Sequence, residues 1–329
     1  MKKVNIGLLG LGNIGTGTYQ TLEMNYEHIK DVTGVDFEIT RILERDVDRK
    51  RPITVRPEQF TQTPDDIFND PDIDIVIELV GGIEPATSFM LKALNAGKHV
   101  VTANKAAIAA NYDELMDTAK ANKVMLRFEA SVGGGIPILT ALTGSLLANE
   151  YEEILGILNG TTNYILTKMD HEDMAYEDAL KEAQQKGFAE ADPTADVEGH
   201  DVANKLSILM NLVFKKKVHP DDIQTTGISA ITKDDIEQAK KDGCVIKLVA
   251  SAYHKDGELG CFIQPTLLNK EHPLATVNNE FNAIFVKGNA VDDLMFYGKG
   301  AGPLPTGSAV MGDVIEIGRA ISKGVAYDL

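Results

Sequence analysis

Apolar residues in the first part of the chain come in short unbroken runs separated by longer amphipathic stretches. Val4–Leu9, Phe37–Leu43 and Asp74–Val80 (DIVIELV) read as strands, with Val100–Val101 and Val124–Phe128 as shorter ones. Strands this continuously apolar are covered on both faces, as in a parallel sheet. Between them Ile14–Met24 and Ala86–Asn95 carry helical spacing, the second ended by Gly97, and Asn111 caps a helix running to Ala121. Alternating strands and helices predict a doubly wound parallel sheet.

The pattern changes after Phe128. Helical stretches follow at Ile138–Ala148, Asn163–Met169, Tyr176–Lys186 and Asp196–Phe214. Then come strands at Cys244–Tyr253, Leu259–Leu267, Ala283–Val286 and Leu294–Tyr297, and a closing helix at Ser308–Lys323. This half reads as α+β around a mixed sheet. Val245, Ile246, Leu248, Val249 and Ala250 place apolar groups on both faces of one strand, so one face is expected to need a partner subunit. Helices of the same chain covering both faces are the alternative. If Lys255-Asp256-Gly257-Glu258 is a tight turn, Cys261 faces Ala252 rather than Cys244, and both thiols are reduced.

Net charge is -17, and the only dense basic cluster is Lys215-Lys216-Lys217, which fits a solvated helix end better than a nucleic-acid surface. No apolar run approaches the ~18 residues that span a bilayer. Lys2 and Lys3 precede an apolar stretch, but glycine punctuation follows with no cleavage site, so no secretory signal is read there. A soluble cytoplasmic protein is expected. The seven histidines show no zinc spacing, and no serine or cysteine sits in a nucleophile motif.

Gly10-Leu11-Gly12-Asn13-Ile14-Gly15 fits G-x-G-x-x-G, after the first strand and opening a helix. There the glycines permit a tight turn, close approach of a pyrophosphate and helix–strand packing, which predicts a dinucleotide. Glu44-Arg45-Asp46 ends the second strand: a carboxylate there suits the ribose of NAD, and Arg45 the 2′-phosphate of NADP. Thr102-Ala103-Asn104-Lys105 follows a short strand, at the end of the sheet where ligands bind. A lone lysine there is more often a surface charge.

The helix from Asp196 carries a sharper signal. At about 100° per residue, Asp201 and Lys205 fall within the arc of Val202, Leu206, Ile208, Leu209, Met210, Leu212 and Val213. His200, Asn204, Ser207 and Asn211 fall on the opposite arc. An exposed i,i+4 pair belongs on the polar arc. A pair buried at a cost of several kcal/mol points to function, and a buried lysine suits acid–base work. Upstream, Glu190 and Asp192 lie in an acidic loop after Gly187 and could meet an ammonium group. Glu129 and the loop Ser131–Pro137 (SVGGGIP) offer oxygen ligands for a hard cation, although a glycine hinge between domains is the simpler explanation on spacing alone.

The order of GLGNIG, TANK, EASVGGGIP, LNGTTNYIL (Leu158–Leu166), GFAEADPTADVEGHDVANKLSIL (Gly187–Leu209) and GKGAGPLPTGSAVMGD (Gly298–Asp313) closely resembles the homoserine dehydrogenase family across nearly the whole chain. The resemblance implies an α/β chain: a Rossmann-type domain from residues 1–130 with 305–329, and an α+β substrate and dimerisation domain from 131–304. It implies NAD(P)-dependent interconversion of L-homoserine and L-aspartate 4-semialdehyde, in threonine and methionine synthesis. Lys205 matches the proposed proton carrier, and Lys105 a contact to cofactor and substrate. Gly187, Glu190 and Asp201 match substrate positions. Gly10, Gly12, Asn13, Ile14, Gly15, Thr102, Lys105 and Gly302 match the cofactor side, to which the strand-end reading adds Arg45. Glu129 with the carbonyls of Val132, Gly134 and Ile136 matches a sodium site, which replaces the hinge reading. A homodimer or dimer of dimers is implied. Many bacterial members continue into an ACT domain; this chain stops at Leu329 and resembles the short form. The run Arg41–Arg51 departs from the usual pattern and leaves NAD against NADP open.

Two rivals remain at this point. Another amino-acid dehydrogenase would share the cofactor domain; aspartate-semialdehyde dehydrogenase is disfavoured because its nucleophilic cysteine has no counterpart. A non-catalytic nicotinamide sensor would have no use for an Asp–Lys pair on an apolar helix face.

Overall fold

Six strands of the first half, β1 (Lys2–Leu9), β2 (Val35–Leu43), β3 (Phe60–Thr61), β4 (Ile75–Glu78), β5 (His99–Thr102) and β6 (Leu126–Arg127), are all parallel, in the order β3-β2-β1-β4-β5-β6. The computed structural model describes residues 1–255 and 257–324 and falls into two units. One is Met1–Gly135 with the chain from Gly302 onward; the other is Ile136–Ala301. Asp256, in the expected hairpin turn, and residues 325–329 lie outside the described residues.

The parallel sheet is apolar on both faces because helices cover both. Val4, Ile6 and Leu8 share one core with Tyr19, Leu22 and Ile29 of the helix Asn13–Thr33 and with Val310, Val314 and Ile317 of the helix Pro303–Lys323. The first helix is longer than its expected end at Met24, since Tyr26 and Ile29 extend the buried stripe. The closing helix starts five residues earlier than expected, at a proline, whose fixed φ suits a first turn. These two helices approach so closely that a Cβ on Gly17 would lie 2.1 Å from the Pro303 carbonyl oxygen. The helix Lys105–Ala110 was not expected: its run of small residues shows little amphipathic contrast.

The second unit holds β7 (Tyr151–Ile157), β8 (Gln224–Thr225), β9 (Cys244–Lys255), β10 (Glu258–Asn269), β11 (Phe281–Gly288) and β12 (Asp292–Lys299), in the order β12-β11-β7-β9-β10-β8. Neighbours are antiparallel except β8 and β10, so the sheet is mixed. Cys261 stands opposite Ala252 and Cys244 opposite Asn269; both thiols are free.

Three expectations fail here. Ile138–Ala148 is helical only over residues 139–145, ending in the π-helical turn Ala141–Ser145, in a stretch weakened by Thr143, Gly144 and Ser145. The expected helix Asp196–Phe214 is broken at Gly199, whose φ of 83° no regular helix allows, into Thr194–Val197 and His200–Val213. The third concerns β9. Val245, Ile246, Leu248, Val249 and Ala250 are all buried within this one chain, under the turn Pro273–Thr276 and the helices packed on β9. On the neighbouring strand, Leu267, which stands opposite Ile246, is exposed.

Among the described residues no helix is long and apolar enough to cross a membrane. One buried histidine makes the fold acid-sensitive. His99 opens β5, and its Nδ1 accepts the Met125 amide at 2.9 Å. Burial pushes its pKa down to about 4. Between pH 6.5 and 4 the unfolded chain therefore takes up a proton that the folded chain refuses, and stability falls as pH falls, by up to about 3 kcal/mol. Denaturant unfolding measured at pH 7 and pH 4.5 should show a smaller acid loss in His99→Asn than in the unchanged protein; equal losses would remove His99 as the cause.

Candidate active site

In the first unit the glycine turn has the form a dinucleotide requires. Gly10 has φ of 93° and donates its amide to the Leu43 carbonyl at 3.0 Å. A Cβ on Gly10 would lie 2.8 Å from the Leu79 carbonyl oxygen, and one on Gly15 would lie 2.2 Å from the Gly10 oxygen. A Cβ on Gly12 would meet nothing within 4 Å, so space is open there for a ligand to approach the backbone. Exposed Asn13 and half-buried Ile14 begin the helix behind this turn.

The basic run after β2 resolves into separate jobs. Arg45 is exposed. Arg51, which sequence reasoning did not single out, is the arginine folded onto the glycine turn. Its Nε donates to the Leu11 carbonyl at 2.9 Å and its guanidinium meets Glu44 at 3.0 Å, with only 6% of its side chain exposed. Glu44 also accepts the Leu11 amide at 3.1 Å. Burial opposes ionisation of Glu44, but amides of Asp46 and Leu11 and the Arg51 charge hold its carboxyl below the usual range. Arg49 reaches Asn13 Oδ1 at 3.2 Å. Nothing in the spacing of ERDVDRKR tells which arginine folds back.

Thr102 ends β5, fully buried, and Lys105 begins the next helix, half-buried. Gly302, with φ of 119°, is the residue before the Pro303–Lys323 helix. Glu129 is buried, and its amide donates to Asp313 Oδ2 at 2.9 Å. Burial, and then the nearby Glu129 charge, push the Asp313 carboxyl well above the usual range. Two acids enclosed together suit a positive charge, so the residues fit a hard monovalent cation. Among the described residues no three His, Cys, Asp or Glu side chains gather as a metal-binding group. The Ile136 carbonyl accepts the Ile138 amide at 2.9 Å.

In the second unit the helix wheel is right about the ion pair and about exposed His200, and wrong about Ser207 and Asn211 of the opposite arc. Asp201 and Lys205 are buried, with Lys205 Nζ 2.6 Å from Asp201 Oδ2 and 2.6 Å from the Leu158 carbonyl oxygen. Ser207 and Asn211 are buried too, because the chain after the helix folds back and its Val218 carbonyl accepts from both. Asn159 links this pair to a third acid. Its Nδ2 donates to Asp201 Oδ2 at 2.9 Å and to Asp196 Oδ1 at 2.7 Å, while its Oδ1 caps the helix Gly160–Glu172. Burial, with the Asp201 charge adding to it, raises the Asp196 carboxyl above its usual range. The Thr161 hydroxyl lies 2.6 Å from the Phe188 carbonyl oxygen and 3.1 Å from Asp196 Oδ2, with one hydrogen to share between them. Gly187 and Glu190 are exposed in the loop that follows Tyr176–Gln185, the Glu190 carbonyl accepting from Gln184. Asn159 and Asp196 are thus the members missed from sequence. A polar asparagine before a helical start, and a second aspartate one turn before Gly199, were the available signals.

Comparison with known proteins gives the family. The family model described as homoserine dehydrogenase matches residues 137–315, and that described as homoserine dehydrogenase, NAD binding domain, matches 10–129. The chain is 44% identical to homoserine dehydrogenase of Bacillus subtilis over 99% of its own length and 75% of that protein. It is 45% identical to the Corynebacterium glutamicum enzyme, over 96% and 72%. The crystal structure of a homoserine dehydrogenase from Thiobacillus denitrificans superimposes with a TM-score of 0.93 at 41% identity, covering 98% of this chain and 75% of that one. A hyperthermophilic archaeal homoserine dehydrogenase in complex with NADPH gives 0.81 at 27% identity, over 96% and 97%. With the glycine turn in one unit and the Asp201–Lys205 pair in the other, the chain belongs to the homoserine dehydrogenase family, NAD(P)-dependent oxidoreductases that act on the CH–OH group of homoserine.

Proposed function

We propose that Lys205 is the acid–base group of this dehydrogenase, in the interconversion of L-homoserine and L-aspartate 4-semialdehyde. The observation that supports it is the enclosed ammonium, held between Asp201 Oδ2 and the Leu158 carbonyl on a helix face otherwise apolar. The bound nicotinamide accepts a hydride from the substrate carbon in oxidation and returns it in reduction. In oxidation Lys205, having first released a proton to solvent, takes the hydroxyl proton as the neutral amine; in reduction its ammonium gives that proton to the carbonyl oxygen, and Asp201 orients the group and balances the charge it then carries. Asn159 fixes Asp201 in place, and Asp196 shares that anchor. Glu190 and Gly187, on the exposed loop, are proposed to meet the substrate with Asp201. Lys105 and Thr102 are proposed on the cofactor side with Gly10, Gly12, Asn13, Ile14, Gly15 and Gly302. Glu129 with the carbonyls of Val132, Gly134 and Ile136 is proposed to hold sodium.

The pathway follows from the reaction: a cytoplasmic step toward threonine and methionine. Cofactor preference rests on the end of β2. The carboxylate that would hold an NAD ribose, Glu44, is already engaged by Leu11 and Arg51, whereas Arg45 is exposed and available to a 2′-phosphate. The family relation also carries a homodimer, which the covered faces of β9 no longer require; light scattering decides it by reading 35.7 kDa or twice that mass.

Absorbance of the reduced nicotinamide, followed with aspartate semialdehyde and each cofactor, tests both assignments. Lys205→Ala should depress turnover by ~10²–10⁴-fold with cofactor affinity near that of the unchanged protein; near-normal turnover would sink the role. Arg45→Ala should weaken NADP more than NAD, because only NADP presents a phosphate to the guanidinium. Equal losses, or none, would make Arg45 a bystander.

A further inference from the structure

A carboxylate stands where the pattern DIVIELV calls for an apolar side chain. Glu78 closes β4, paired with Leu9 of β1 on one side and Thr102 of β5 on the other, and is fully buried. Burying a carboxylate costs several kcal/mol unless donors surround it. Here donors do. The Thr102 hydroxyl donates to Oε2 at 2.7 Å, and the amides of Val80 and Gly81 donate to Oε1 at 2.7 and 3.4 Å. Burial pushes the Glu78 carboxyl above its usual range, yet every one of these partners gives a hydrogen, which is the arrangement an ionised group needs.

The contacts continue outward from Thr102. Its Oγ1 accepts the Asn104 amide at 2.9 Å. Asn104 Nδ2 donates to the Gly82 carbonyl at 2.7 Å, and Asn104 Oδ1 accepts the Ala107 amide at 3.1 Å, capping the helix that begins at Lys105. One carboxylate thereby fixes both the turn after β4 and the direction in which the chain carrying Lys105 leaves β5. Leu79, the next residue, lies against Gly10 of the glycine turn. An apolar residue at position 78 would hold strand against strand without the desolvation cost. A charge at the carboxyl ends of the strands, where open parallel sheets bind their ligands, serves the site instead.

We propose that Glu78 is a positioning residue for the dehydrogenase reaction, acting through Thr102 and Asn104 on Lys105. The proposal rests on the reading of Lys105 as a contact to cofactor and substrate. Glu78→Gln keeps an acceptor for the Val80 and Gly81 amides but turns an amide donor toward the Thr102 hydroxyl, which then has no acceptor in place. Thr102→Val breaks the same link from the other end.

The test is a mutant cycle in homoserine oxidation, with kcat and KM measured for Glu78→Gln, Thr102→Val, Lys105→Ala and each of the first two combined with the third. Glu78→Gln and Thr102→Val should each lower kcat/KM by about 10–100-fold, the scale of loss when a contacting group is misplaced by about 1 Å. In the Lys105→Ala background the same changes should cost less than about 2-fold, since the group they position is already gone. Losses that multiply in that background would show Glu78 acting on general structure alone and would overturn the proposal. If Glu78→Gln does not fold, Thr102→Val carries the same comparison. Should Lys105→Ala alone stay within about 2-fold of the unchanged enzyme, the Lys105 reading fails by its own measurement and the proposal falls with it.

Discussion

The enclosed ammonium of Lys205 constrains everything around it in the second unit. A lysine taken out of water needs its three hydrogens accepted and its charge opposed, and both demands fall on specific neighbours. Asp201, one turn earlier on the same helix, supplies the opposing charge, and the Leu158 carbonyl supplies an acceptor. For that carbonyl to be free, the chain at Leu158 must have left β7 without yet joining the helix Gly160–Glu172, and Asn159 sits at that junction as the helix cap. Its amide then has two acids to serve, Asp201 and Asp196. The break at Gly199 is part of the same arrangement. It lets the turn bearing Asp196 come back to Asn159 while the helix bearing Asp201 and Lys205 runs on.

The first unit meets a different demand with the same means. A turn that must leave its backbone open to a pyrophosphate cannot be held by side chains of its own. It is held instead by groups from the neighbouring strand ends. Leu43 takes the Gly10 amide, while Glu44 and Arg51 grip Leu11 by its amide and carbonyl. Glu78 repeats the device one strand over, where its carboxylate organises two turns at once. Buried charges here do the work of fixing loops, which apolar packing cannot do because it has no direction.

Much of this was legible in the residues. Unbroken apolar runs and intervening helices gave the parallel sheet, and 100° spacing placed Asp201 and Lys205 inward. What stayed hidden has physical reasons. The loss of helix at Gly199 depends on a φ of 83° that a helical wheel does not see. Ser207 and Asn211 look like a solvent face until the chain beyond Phe214 returns to cover them. The covering of the β9 face that bears Val245 and Val249 depends on Pro273–Thr276, a segment with no periodic signal, so two-sided apolar character was read as a missing partner. Arg51 was hidden among similar neighbours. Asn159 and Asp196 were hidden because their importance lies in what they hold, and only the fold brings Asp201 to them.

The central claim is that the Asp201–Lys205 pair moves a proton and is more than a buried ion pair. Lys205→Arg separates the two roles most directly. Arginine keeps a cation opposite Asp201 but gives up no proton at any working pH. The account predicts a folded protein that still binds its nicotinamide cofactor and loses homoserine oxidation by ~10²-fold or more. Oxidation within about threefold of the unchanged enzyme would show that a fixed positive charge is all the site requires, and would contradict it.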